Sequence, residues 1–195
     1  MTKLSSQKIY EKTSFKDLKF SKMELIESEF INCKFESCDF SESEFKKCLF
    51  EECLITSTNL SLIKLTNSKL SDCSFENCKL VGIDWSLLRK EIGIQLKCNE
   101  CDLSFSSFFE TDLSESEFEN CKIHEADFSD AKLPKAIFKG SDLLKSRFIN
   151  TDLRKTDFTQ AKNYFLDIRE NNCKDARFSL PEGLNLFKAL DIEVE

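Results

Sequence analysis

The sequence predicts a fixed-period repeat solenoid, one continuous rod rather than a helical bundle or an open sheet. Three observations predict it. Large apolar residues recur at every fifth position, small residues sit two places before them, and the other three positions of each five are mostly charged or polar. Period five suits neither common element. On a helix, residues five apart are rotated by about 140°, and on a strand an odd period alternates faces. A strict five-residue clock therefore demands a coil geometry of its own.

The elements follow in chain order within one domain, 1–195. Residues 1–11, with Leu4, Ile9 and Tyr10, are expected to cap the N-terminal end, because an open solenoid end exposes core and unpaired strand groups. The first repeat block is 12–85. All 15 of its centres, from Phe15 to Trp85, are Phe, Leu, Ile or Trp. The stretch 86–97, SLLRKEIGIQLK, breaks the clock: Trp85 and Cys98 are 13 residues apart, so a bulge or a rebuilt corner is needed. It is read either as a packing irregularity or as a contact loop presenting Arg89, Lys90 and Lys97. The second block is 98–178. There 14 of 17 centres are Phe, Leu or Ile, the exceptions being Cys98, Asn163 and Cys173. Asn163 lies in KNYFLDIRENN, where an irregular last coil is expected. The tail 179–195, SLPEGLNLFKALDIEVE, reads as a short helix and then a short strand. Pro181 suits the first helical position, and Leu184, Phe187 and Leu190 make an apolar stripe.

Ala, Cys, Ser or Thr fills 25 of the 32 positions two before a centre. Eight of the ten cysteines (33, 38, 48, 53, 73, 78, 101 and 121) are among them, while Cys98 and Cys173 fall on centres. None is expected to face solvent, and the reading preferred is that of a small core filler. Cys98 and Cys101 have zinc-like spacing, but a lone pair needs a second pair to complete a site. The single histidine, His124, follows a centre and should point outward. No metal and no cofactor are expected, and disulfides are not expected in a reducing compartment.

Repeats such as TDLSE (111–115), ADFSD (126–130), SDLLK (141–145), TDLRK (151–155) and TDFTQ (156–160) resemble the pentapeptide-repeat proteins over roughly residues 11–180. The resemblance implies an all-β fold, a right-handed quadrilateral β-helix in which four repeats make one square coil. Thirty-two repeats would then make about eight coils, on the order of 38 Å long at strand spacing. From 103 to 158 the centres alternate Leu or Ile with Phe. On a four-sided coil that places Phe ladders on two opposite walls and aliphatic ladders on the other two.

The chain carries 28 Lys and Arg against 35 Asp and Glu, a net −7, which disfavours direct binding to nucleic acid or an anionic membrane. No apolar run reaches the length of a membrane span. The N-terminal MTKLSSQKIYEKTSF lacks the apolar core of a secretory signal, so a cytoplasmic location is expected. Acidic charge concentrates in 101–133, with nine acids and two Lys. Asp112, Glu115, Glu117, Glu119, Glu125, Asp127 and Asp130 are the candidate partner-binding acidic face. No phosphate loop or nucleophile motif points to catalysis, so the chain is read as a non-enzyme. The layout is similar to Qnr-type and microcin-immunity members of the family: a short solenoid, a break after GIDW (82–85), a longer solenoid and a C-terminal tail. That resemblance implies a DNA mimic, a homodimer through the C-terminal region (Leu184, Phe187 and Leu190), bound to DNA gyrase or topoisomerase IV and protecting it from quinolones or a peptide toxin. The alternative is an adaptor for another protein. It should show an exposed apolar patch, with Leu49, Leu54, Phe105 and Phe109 as candidates.

Overall fold

Each five-residue repeat forms one side of a square coil, and its last residue turns the corner. At the corners φ lies between 45° and 73°, the left-handed region. Asn, Asp, Glu, Gln, Lys and Ser supply nearly all of these residues; Asn and Asp adopt this conformation at least cost, and the longer Glu, Lys and Gln are tolerated because their side chains extend into solvent. The computed structural model describes residues 4–89, 93–190 and 192. In it the chain is a four-sided β-solenoid of about eight coils.

Parallel ladders join the coils. Ile9–Glu11 pairs with Glu29–Ile31 and Ser14–Lys16 with Lys34–Glu36, a register of twenty residues. Numbering the sides from Tyr10, the first carries Tyr10, Phe30, Phe50 and Leu70 inward, the second Phe15, Phe35, Ile55 and Phe75. The third begins at Phe20 and the fourth at Leu25. The ladder already starts at Ile9–Glu11, inside the stretch read as a cap, because Tyr10 stacks on Phe30 (centroids 5.1 Å, planes 5° apart). Leu4 and Tyr10 are buried at this end, whereas Ile9 is exposed.

Across the break the register widens from 20 to 23, since Ser74–Glu76 pairs with Lys97–Asn99. Three extra residues are thus absorbed on one side. Trp85–Leu87 forms a 3-10 turn whose first exposed N–H, that of Ser86, is capped by Asp84. Leu88, Ile94 and Leu96 remain buried, so the core is continuous past the break.

The expected Phe walls form. Phe108, Phe128 and Phe148 stack 4.7 and 5.0 Å apart on the fourth side. Phe118, Phe138, Phe158 and Phe178 stack 5.1–5.2 Å apart on the second. The two walls meet edge to face, as at Phe128 and Phe138 (5.6 Å, 88°). In the last coil Asn163 points out and Tyr164 turns in, between Phe158 and Phe178. At the C-terminal end a 3-10 turn Glu182–Leu184 leads into the α-helix Asn185–Lys188. Pro181 precedes the turn instead of opening the helix. Of the DIEVE stretch, only Ile192 lies within the described residues.

Candidate interaction surface

The inward small residue does more than fill space. Ser68 Oγ accepts from Cys48 N–H (2.9 Å) and donates to Phe45 C=O (2.9 Å), both one coil earlier. Cysteines occupy the same node: Cys53 Sγ donates to Phe30 C=O (3.3 Å) and Cys33 Sγ to Tyr10 C=O (3.3 Å). All ten cysteines are free; nine are buried and Cys173 is half-buried. Burial pushes the Cys98 thiol up, and a hydrogen bond with Cys73 together with burial does the same for Cys53. Among the described residues no group of three or more His, Cys, Asp or Glu could hold a metal.

The seven candidate acids do not line one face. One coil is twenty residues, so 111–130 travels once round the rod. Asp112 is on the first side, Glu117 and Glu119 on the second, and Asp127 on the fourth, with Glu115, Glu125 and Asp130 at corners. The expected stripe is therefore a ring. Two of its members also serve the backbone: Asp112 Oδ1 accepts from Ser114 N–H (3.1 Å), and Asp127 Oδ1 from Ser129 N–H (3.0 Å). The same Asx turn recurs at Asp39, Asp84, Asp102, Asp142 and Asp152, which explains the Asp of the repeat motif without any partner.

The next coil answers the ring with opposite charge. Lys135 lies 2.5 Å from Glu115, Lys145 3.9 Å from Glu125 and Arg147 4.0 Å from Asp127, while Asn150 donates to Asp130 (2.6 Å). On the third side the column reads Lys19, Asp39, Asn59, Lys79, Asp102, Lys122, Asp142, Lys162, an alternation along the rod. Burial raises the Asp102 carboxyl, but its hydrogen bonds with Ser104 and Lys122 prevail and hold it below the usual range. Ser41 does so for Asp39, and Arg154 for Asp152.

The cationic candidates separate. Arg89 is exposed and its N–H donates to Ser68 C=O (3.0 Å). Lys97 is no loop residue: it sits in the strand Lys97–Asn99, in register with Ser74 and Glu117, because the clock resumes just before Cys98. Lys90 lies outside the described residues. His124 is only partly exposed, with Nε2 3.0 Å from Asp142 Oδ2 but off the line of a good hydrogen bond. Of the apolar candidates, Leu49 and Leu54 are half-buried in strands, whereas Phe105 and Phe109 are exposed. Sequence reasoning did not single out Leu62 and Leu87, which are exposed as well. Leu62 stands at a corner position of the clock and could have been found there. Leu184 and Phe187 are exposed at the C-terminal end, beside Leu180 and Ile192, and Leu190 is half-buried.

A family model described as a pentapeptide repeat region matches residues 6–71, 28–91 and 68–158. The chain belongs to the pentapeptide-repeat family. Two solved structures of trypsin-treated QnrB1, a plasmid-mediated fluoroquinolone resistance protein, share the fold of this pentapeptide-repeat chain. One has a TM-score of 0.64 at 18% identity, covering 98% of this chain and 100% of that one. The other has a TM-score of 0.54 at 20% identity, covering 97% and 92%. No curated protein matches the chain in sequence. Among the described residues no helix is long and apolar enough to cross a membrane.

Proposed function

We propose that the protein is a non-catalytic, homodimeric binding rod that engages a type II topoisomerase, gyrase or topoisomerase IV, and shields it from a quinolone or a peptide toxin. The observation that carries this reading is the end-to-end match of the rod with QnrB1, a fluoroquinolone resistance protein. The cluster of Leu180, Leu184, Phe187 and Ile192 supports a dimer contact, since it leaves apolar surface uncovered at one end of the rod. Mimicry of DNA would use an acidic ring with cations one coil away, a field screened beyond about 10 Å at moderate salt.

A gyrase supercoiling assay with purified protein, with and without ciprofloxacin at moderate salt, tests the reading. Restored supercoiling under drug is expected. Neither rescue nor inhibition, with topoisomerase IV equally indifferent, would sink it. The paired charges favour a second reading, an adaptor for another protein, because they leave little of the continuous negative potential that a DNA mimic needs.

A further inference from the structure

We propose that the core of the first block holds a binding site for a small apolar molecule, no larger than a few heavy atoms, between Ile55, Leu60, Ile63 and Leu65. The inference does not depend on the topoisomerase reading.

The site exists because one coil lacks its rings. On the second side the inward residues run Phe35, Ile55, Phe75, and on the fourth they run Phe45, Leu65, Trp85. These walls are opposite, and both lose a ring in the same coil. The third side loses one there as well, where Leu60 follows Phe40. The coils do not close over the gap, because the ladder keeps its spacing. Phe40 N–H donates to Asn59 C=O (2.8 Å) and Leu60 N–H to Lys79 C=O (2.7 Å), ordinary lengths on either side of the ring-poor coil. Ile63 restores part of the volume. It is buried at the inward position where most repeats carry Ala, Cys, Ser or Thr. A cavity of about 30 Å³ remains.

The lining decides the ligand. No polar atom faces this cavity. A buried water needs polar partners, so the cavity is dry. Its volume is that of about two water-sized spheres, too small for an aromatic ring and enough for a diatomic molecule or one large atom. Such a ligand regains the dispersion contacts that the missing rings forfeit. Leu70 lines the cavity and also, with Leu88 and Ile94, an outer cleft of about 130 Å³. Leu70 is itself only partly buried, so one side chain stands between the cavity and solvent.

Xenon is the probe for the test. The full chain, isotope-labelled at its Ile and Leu methyls, would be titrated with dissolved xenon and followed by NMR. The methyls of Ile55, Leu60, Ile63 and Leu65 should shift to saturation. Those of Leu113, Leu133 and Leu153, buried in the ring-filled second block, should stay in place. Leu65→Phe puts a ring back and should abolish the shifts at the other three residues. Leu65→Ala enlarges the cavity and should lower the half-saturating xenon concentration several-fold. No shifts in the native chain, or equal shifts in both blocks, would overturn the site. An undiminished response in folded Leu65→Phe would overturn it too. If Leu65→Phe does not fold, Leu65→Ala decides: tighter binding supports the site, and unchanged or weaker binding overturns it.

Discussion

At the scale of single residues, the small inward position joins two coils through one side chain. Ser68 bonds a buried N–H and a buried C=O of the preceding coil. Ser68→Ala should lower stability by about 1–3 kcal/mol, because both groups then stay desolvated and unpaired. Ser68→Cys should lose less, since a thiol already donates at the matching position of Cys53. Urea unfolding of the three proteins measures the difference; equal stability of Ser68→Ala and the native chain would refute the relay. The need for a small residue here was legible in the five-residue clock. The relay was not, because its partners stand 20 and 23 residues away in sequence and meet only when the coil closes. The Asp of the motif behaves similarly. Its acidity suggested a partner, while its geometry fastens its own turn at Asp112 and Asp127.

Within one wall of the rod, each Phe ring is buried between rings of the coils on either side. Phe128 lies between Phe108 and Phe148 with planes 5° and 3° apart, and it touches Phe118 and Phe138 edge to face. Phe128→Ala should cost about 3–5 kcal/mol. Thermal unfolding would record it, and a loss below about 1 kcal/mol would mean that the coils close over the gap. The alternation of Phe with Leu or Ile announced these walls. Two elements were less legible. At 86–97 the broken clock marked an insertion, but only the register of Ser74–Glu76 against Lys97–Asn99 shows that one side absorbs three residues and keeps the ladder. Near Asn163 the clock announced a fault without naming the substitute. Tyr164 takes the core place because its ring can bridge Phe158 and Phe178. Burial, with Glu182 nearby, pushes its phenol up to about 12.

For the whole molecule, the two ends of the rod differ. The N-terminal end is closed by Leu4 and Tyr10, with Ser5 N–H donating to Tyr10 Oη (2.9 Å). The C-terminal end leaves Leu184 and Phe187 exposed. Replacing both with Asp should give a monomer by light scattering while Tm changes little, since neither side chain is in the core. A native chain that already runs as a monomer at micromolar concentration would refute the dimer. Several charges along the sides pair coil to coil, and exposed pairs such as Lys135 with Glu115 add little stability.

The sequence by itself determined the repeat, the inward pair of each five, the Phe walls and the places where the clock fails. Local size and polarity dictate these, and each can be counted along one chain. Only the tertiary structure decided what the surface looks like. Winding twenty residues into one coil spreads a run of acids into a ring, sets Lys and Arg above them, and stacks Leu62, Gly82 and Phe105 into one corner. Neighbours on this surface are separated by 20 or 23 residues of chain, so charge and apolar patches that are contiguous in space are scattered in sequence.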